Sequence, residues 1–244
     1  MARSLLDIAT AAVDEMGSVA RPTALAGSSD EGAQQLLALL NREGKELSER
    51  QGLNGGWPVL RRLHTITTVA DQANYAFPSD ISYFINTTAW DRTQKWPLRG
   101  PVSPQEWQII KSGTIGSIGP RRRFRIYNGE IYFDPTPESS GDEYIIEYYS
   151  NEWCEDSGGT GQTEWASDTD VPRLPDDCFI LGLIWRFKKA KGLAYAEDYA
   201  AYMKECDREL GRSGMAPIID LTGERVGTRF LDESNIPDSF PDLV

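Results

Sequence analysis

The sequence predicts an α+β protein in which helices from both ends of the chain form a helical layer and an antiparallel β domain is inserted between them. Apolar residues recur at helical spacing in residues 1–56 and 175–212. Residues 57–153 instead contain alternating, threonine-rich stretches that are typical of strands. The last segment, residues 213–244, is interrupted by prolines, and its final residues 229–244 follow neither period, which predicts an extended C-terminal tail.

Two N-terminal helices are predicted from their apolar faces and their ends. Residues 3–16 place apolar side chains on one face, and Gly17 ends the pattern. A second helix is predicted over about residues 30–50, with Ser28 or Ser29 as its N-terminal cap. Each helix would bury an apolar face, which is leucine-rich in the second, so the two form the first part of the helical layer.

The β domain is indicated most clearly by one hairpin. The stretch FRIYNGEIYF has strand-like residues on both sides of Asn128 and Gly129, the preferred pair for a type I′ turn. The same domain contains a short predicted helix, because Ser103 can cap it, Pro104 suits its first position and Glu106 completes a capping box.

A polar loop and a long C-terminal helix follow the β domain. Residues 154–174 are predicted as the loop, and a solvated loop is preferred to a calcium site because no EF-hand spacing is present. Residues 175–212 are predicted as one long helix packing on the N-terminal helices, with Gly192 as a candidate bend. The acids considered as calcium ligands are Glu155, Asp156, Asp168 and Asp170.

Composition and motifs exclude several functional classes. The 37 acidic and 25 basic residues give a net charge of -12, which disfavours a DNA-binding face. No apolar run is long enough to span a bilayer, and the first residues predict an amphipathic helix, not a signal peptide. The three cysteines have no metal-binding spacing, which indicates a reducing compartment.

Catalytic and metal sites are not indicated by any motif. His64 is the only histidine, so a two-histidine metal site is excluded and a structural role is expected. No nucleophile elbow, Walker loop or dinucleotide-binding motif occurs. We therefore predict no catalytic residue, no cofactor and no metal, although paired carboxylates that meet only in space stay open as an alternative.

Two groups of residues are candidates for a subunit interface. Arg121, Arg122 and Arg123 form a basic run in an acidic protein, which suits either an acidic neighbour or a solvated turn. Three tyrosines recur at helical spacing and suit either core packing or an intersubunit face. These tyrosines are Tyr195, Tyr199 and Tyr202.

The order of these segments resembles the head-to-tail adaptor proteins of tailed bacteriophages, the head-completion or tail tubular ring proteins. The resemblance covers most of residues 1–212. It rests on the order of the elements and on the general character of their sequences, and not on an invariant motif. The stretches that carry it are NYAFPSDI, WPLRGPVSPQEWQ, FRIYNGEIYFDPTP, EYYSNEW and LPDDCFILGLIWRFKKAKGLAYAEDYAAYM.

The resemblance implies a structural protein of the virion neck that is assembled in the host cytoplasm. It implies a dodecameric ring below the portal that continues the DNA channel and provides the tail attachment site. The implied partners are the portal protein, a tail or nozzle protein and other copies of the chain. It implies no enzyme, no cofactor, no membrane contact and no specific binding of the DNA that passes.

The tail has a role of its own in this interpretation. It cannot form a helix or a long strand, yet it keeps large apolar residues that would be buried on the portal during assembly. These partner-binding residues are Phe230, Leu231, Ile236 and Phe240. The alternatives are a tail nozzle or fibre-connector protein of the same particle, or a virion hydrolase that uses carboxylates.

Overall fold

The computed structural model describes residues 3–17, 19–52, 55–113 and 122–213. These ranges contain five helices and eleven strands, and every pairing between the strands is antiparallel. The structure therefore confirms the predicted α+β class. The helices are α1 (Leu5–Met16), α2 (Glu31–Ser48), α3 (Pro104–Lys111), α4 (Asp176–Ala190) and α5 (Ala196–Ser213).

The strands fall into three sheets. The first has the order β1-β8-β4-β5, with β3 also paired to β8; the second has the order β2-β7-β6; the third has the order β10-β9-β11. The strands are β1 (Arg61–Thr67), β2 (Asn74–Ala76), β3 (Ile81–Phe84), β4 (Trp90–Asp91), β5 (Trp96–Pro97), β6 (Arg123–Tyr127), β7 (Glu130–Asp134), β8 (Glu143–Ser150), β9 (Cys154–Glu155), β10 (Gly161–Gln162) and β11 (Val171–Pro172).

The N-terminal helices begin at residues whose side chains cap them. Ser4 caps α1, and Asp7 completes a capping box with it. The cap of α2 is Asp30, which accepts from the amide of Ala33 at 2.8 Å, so the expected serine cap is wrong. Ser28 instead binds the capping residue itself, because its hydroxyl accepts from the amide of Asp30 at 3.2 Å.

The segment predicted as one long helix forms two helices, α4 and α5. Gly192 follows α4 in the left-handed conformation with φ at 69°. The amide of Leu193 donates to the carbonyl of Lys188 at 2.9 Å, which satisfies an acceptor at the end of α4. Glycine in this position ends a helix, because other residues avoid positive φ. The chain then turns, and α5 packs against α4.

The helical layer has its own core, in which α1 and α2 both pack against α4. The approach of α2 is close, because a Cβ atom at Gly44 would lie 2.5 Å from ring atoms of Trp153. Trp153 is buried and is in edge-to-face contact with Trp165 at 5.1 Å between ring centroids. Trp153 and Trp165 thus join the helical layer to the segment after β8.

The β domain encloses a second core between its first two sheets. Phe133 of β7 and Tyr144 of β8 are both buried, with ring centroids 4.9 Å apart. The predicted hairpin is confirmed, since β6 and β7 pair directly and the turn residues Asn128 and Gly129 have φ at 54° and 74°. The predicted capping box of α3 is confirmed as well.

Residues 154–174 differ from the solvated loop expected of them, because they contain the third sheet and are attached to the helical layer. Asp168 accepts from the amides of Leu25 and Ala26 at 3.0 and 2.8 Å. Asp170 is buried and accepts from the amides of Ala166 and Ser167, each at 2.8 Å. These carboxylates satisfy backbone donors of the loop and of the segment before α2, and so attach the two to the fold.

Candidate assembly surfaces

A groove on the β domain combines two arginines with apolar side chains. It has a volume of about 470 Å³ and lies between α3 and β6. Ile109 contributes an exposed apolar side chain to it. We call this feature the basic groove. It is lined by Arg99, Gly100, Pro101, Val102, Glu106, Ile109, Ile110 and Arg123.

The basic groove exists because residues 99–102 run directly beside β6. The amide of Arg99 donates to the carbonyl of Arg122 at 3.0 Å, and the amide of Val102 donates to the carbonyl of Phe124 at 2.9 Å. Gly100 permits this contact, since a Cβ atom there would lie 2.5 Å from the Phe124 carbonyl oxygen. Arg99 and Arg123 consequently reach the same groove.

The two groove arginines have no ion-pair partner within the described part of the chain. Among the described residues, neither Arg99 nor Arg123 has a carboxylate within ion-pair distance. The carboxylate of Glu106 is already in use, because it accepts from the amide of Ser103 at 2.9 Å. A groove with free guanidinium groups and an apolar lining suits a segment that carries both acidic and apolar side chains.

The structure divides the predicted arginine run. Arg121 lies outside the described residues. Arg122 is half-buried and donates to the carbonyls of Pro135 and Thr136 at 3.1 and 2.9 Å, so it holds the chain after β7. Arg123 lines the basic groove. A sequence run of like charges therefore contains at least two different roles.

The predicted tyrosines surround one buried tryptophan on the helical layer. Trp185 of α4 lies 6.4, 5.1 and 5.9 Å from the ring centroids of Tyr195, Tyr199 and Tyr202. Tyr202 is 5% exposed and belongs to the core, whereas Tyr199 is 41% exposed. Together with exposed Leu193, the rings of Tyr195 and Tyr199 form what we call the aromatic patch.

Beneath the aromatic patch lies an ion pair that sequence reasoning missed. Arg186 of α4 donates through Nε to Glu43 of α2 at 2.5 Å and through Nη2 to Glu46 at 2.7 Å. The Glu43 side chain is 0% exposed and that of Arg186 is 5% exposed. Glu43 occupies space that Gly182 leaves free, because a Cβ atom there would overlap the carboxylate.

The environment of this pair shifts both groups toward higher pKa. Burial raises the pKa of Glu43, while Arg186 acts in the opposite direction. Burial works against the charge of Arg186, but the hydrogen bonds and charges of Glu46 and Glu43 outweigh it and raise its pKa. The guanidinium therefore stays charged inside the helical layer.

The single histidine and the three cysteines have pKa values that burial influences. Burial lowers the pKa of His64, whose ring lies 6.5 Å from that of Phe77. All three cysteines are free and buried, and burial raises the pKa of Cys154 to about 12. Within the described ranges, no cluster of three or more metal-ligating side chains is found. No described helix is long and apolar enough to span a bilayer.

The predicted anchors Phe230, Leu231, Ile236 and Phe240 lie outside the described residues. The described residues present the basic groove between α3 and β6 and the aromatic patch on the helical layer. Surfaces of this kind are typical of proteins that act by assembling with other proteins.

Comparison with protein families agrees with that class. The family model described as SU10 adaptor protein matches residues 3–226. The chain therefore belongs to this family of structural bacteriophage adaptor proteins and is a component of a phage particle. No curated protein matches the chain significantly.

Proposed function

We propose that this chain is a head-to-tail adaptor subunit that forms a ring below the portal, continues the DNA channel and provides the attachment site for the tail. The observation that carries the proposal is the family match over residues 3–226. That match includes both the helical layer and the β domain, so the proposal concerns the whole described subunit.

The unequal surfaces of the subunit support a closed ring. The basic groove lies on the β domain and the aromatic patch on the helical layer, so one face differs from the other. Contacts between two different faces of identical chains are heterologous, and they give a ring when the rotation closes. An acidic chain with one basic groove can pair in this way with its neighbour.

The proposed ring is tested by adding the purified protein to portal-bearing heads and to portal alone. We expect a small species in isolation and a ring of defined mass on the portal, measured by light scattering and electron microscopy. A protein that ignores the portal but binds an already assembled adaptor would instead be a nozzle or fibre-connector component. That outcome would overturn the proposal.

The wall of the proposed channel would repel DNA, because the chain has a net charge of -12. A repulsive wall lets the duplex pass without the counterion release that drives tight binding. We expect no shift of duplex DNA by the purified protein in a gel at physiological salt. Tight binding under those conditions would contradict this part of the proposal.

The basic groove gives a charge-specific prediction. Replacing Arg99 and Arg123 with serine should weaken ring formation on portal, and the defect should be largest at low salt, where the wild-type attraction is least screened. A matched control replaces Arg92 and Lys95 with serine, since both are exposed, unpaired among the described side chains and outside the groove. If the two double variants form rings on portal equally well, the basic groove makes no contact that assembly needs.

A further inference from the structure

The positive charge of the β domain extends beyond the basic groove along β6. Successive residues of a strand point to opposite sides, so Arg123, Arg125 and Tyr127 share one side of β6. The other side of the strand carries Phe124, which is buried in the second core. Arg123 lines the basic groove, and the same side of β6 continues to Tyr127 at the hairpin turn. We call the basic groove and this side of β6 together the basic surface.

The side chains of the basic surface are those typical of a protein interface. Within the described part of the chain, Arg125 has no carboxylate at ion-pair distance, as is also true of Arg99 and Arg123. The guanidinium of Arg125 lies over the ring of Tyr127, 4.9 Å from its centroid. Tyr127 is 58% exposed, and Ile109 is about half exposed. Arginine and tyrosine are enriched in interfaces between proteins, and unpaired guanidinium groups favour a partner with carboxylates.

The helical layer carries a groove of the opposite charge. This groove lies between α1, α4 and α5 and has a volume of about 230 Å³. Three carboxylates and one arginine line it, beside two apolar side chains of α4. We call this feature the acidic groove. It is lined by Glu15, Asp177, Ile180, Leu181, Glu205 and Arg208.

Two carboxylates of the acidic groove are exposed. Glu15 has no ion pair among the described residues. Asp177 pairs with Arg3 at 3.3 Å, but its side chain is 63% exposed, and a carboxylate accepts from more than one donor. Glu205 pairs with Arg208 and is mostly buried, so it contributes charge more than contact.

The aromatic patch is a less suitable counterpart for the arginines of the basic surface. Lys189 lies over the rings of Trp185 and Tyr195, 5.6 and 5.9 Å from their centroids, so this part of the helical layer already carries a cation. Like charges placed together across an interface disfavour the contact. In the acidic groove, by contrast, the one lining arginine, Arg208, is already paired with Glu205. Charge therefore favours the acidic groove.

We infer that the basic surface of one copy of the chain docks on the acidic groove of a second copy, and that this contact joins neighbouring subunits of the ring. Both sides combine charge with apolar side chains, and their charges are complementary. The contact joins two different faces of identical chains, so it is heterologous and repeats from one copy to the next. The inference rests on the proposed function, which supplies the ring, and it adds which two surfaces meet.

Charge reversal in the full-length chain tests the inference. The double variant Arg99→Glu with Arg123→Glu reverses the basic surface, and Glu15→Lys with Asp177→Lys reverses the acidic groove. We expect each double variant to need a protein concentration about a hundredfold higher or more to form rings on portal, because like charges then face each other. The quadruple variant restores opposite charges in every contact and should assemble within about tenfold of the wild-type concentration.

A matched control places the same change of charge outside both grooves. Arg92 and Lys95 are exposed, and the double variant Arg92→Glu with Lys95→Glu should assemble as the wild type does. The melting transition of each variant shows whether it has folded. A folded quadruple variant that assembles no better than the two double variants would overturn the inference.

Cross-linking tests the same contact without portal and without any change of charge. A photo-reactive phenylalanine analogue at position 109, in a concentrated mixture of isotopically light and heavy chains, should give mixed-label adducts with residues 13–16, 177–181 or 205–208. The absence of mixed-label adducts with these segments would overturn the inference. If these adducts form but the wild type makes no ring on portal, the contact stands and the proposed function fails, so the two failures can be told apart.

Discussion

Replacing Arg186 with methionine is expected to lower the free energy of unfolding by about 3–5 kcal/mol, a large share of what a domain of this size has. The reason is the carboxylate that remains. Glu43 is fully buried, and Arg186 is its ion-pair partner at 2.5 Å. Methionine fills similar space but leaves a charge without compensation in a medium that disfavours it.

The loss should depend on pH in a defined direction. Burial already raises the pKa of Glu43, and removing Arg186 takes away its main opposing influence. A carboxyl whose folded pKa is raised stabilises the fold below its unfolded pKa, about 4.3, and loses that contribution as pH rises through the folded value. The deficit of Arg186→Met should thus be greatest near neutral pH and shrink on acidification.

Two further variants make the measurement specific. Arg208→Met is the same substitution at an exposed pair on α5, where the arginine side chain is 56% exposed, and it should cost at most about 1 kcal/mol. The double variant Glu43→Leu with Arg186→Met should recover much of the loss, because apolar residues can replace a buried pair. Denaturant unfolding followed by circular dichroism measures all four proteins. Equal losses in Arg186→Met and Arg208→Met would contradict the prediction.

This ion pair also marks the limit of what the sequence could predict. The hairpin at Asn128 and Gly129 and the cap at Ser103 were predictable because their determinants lie within a few residues. Glu43 and Arg186 are separated by 143 residues and carry no local signal. Their pairing depends on how α2 crosses α4, which only the tertiary packing defines.

The segment after β8 was missed for a related reason. Its strands have two residues each, too short for an alternating pattern to be recognised. Its acids looked solvated because acidic residues usually are. In the structure, Asp170 accepts from the nearby amides of Ala166 and Ser167, and Asp168 accepts from the amide of Leu25, which is distant in sequence.

The types of residue that form the candidate surfaces were predictable from the sequence, but the positions of those residues on the folded subunit were not. The arginine run and the tyrosine spacing both indicated contacts with another subunit. In the structure, however, Arg122 donates to the carbonyl of Pro135 in its own subunit, and Tyr202 is buried in the core. Arg99 joins Arg123 in the basic groove only because two chain segments pair across the β domain. A charge run read from sequence therefore overestimates how many of its members reach a partner.

Deleting residues 227–244 is expected to abolish docking on portal-bearing heads while leaving the melting transition of the subunit unchanged. The two cores of the described subunit lie entirely within residues 5–210. The deleted segment contains the large apolar residues that we propose as anchors, and each would contribute roughly 1.5–3 kcal/mol if fully buried on a partner. Proline restricts the free segment at Pro237 and Pro241, which reduces the entropy lost on docking.

Two full-length variants separate the apolar contribution from the charged one. Replacing Phe230, Leu231, Ile236 and Phe240 together with serine should reproduce the deletion, because it removes the anchors and keeps the length. Replacing the tail acids with their amides should weaken docking less and reduce its salt dependence, since charges at the rim of an interface set register and association rate more than affinity. These acids are Asp232, Glu233, Asp238 and Asp242. If heads treated with the truncated protein retain their DNA and accept tails at the wild-type level, the tail does not provide the docking contact.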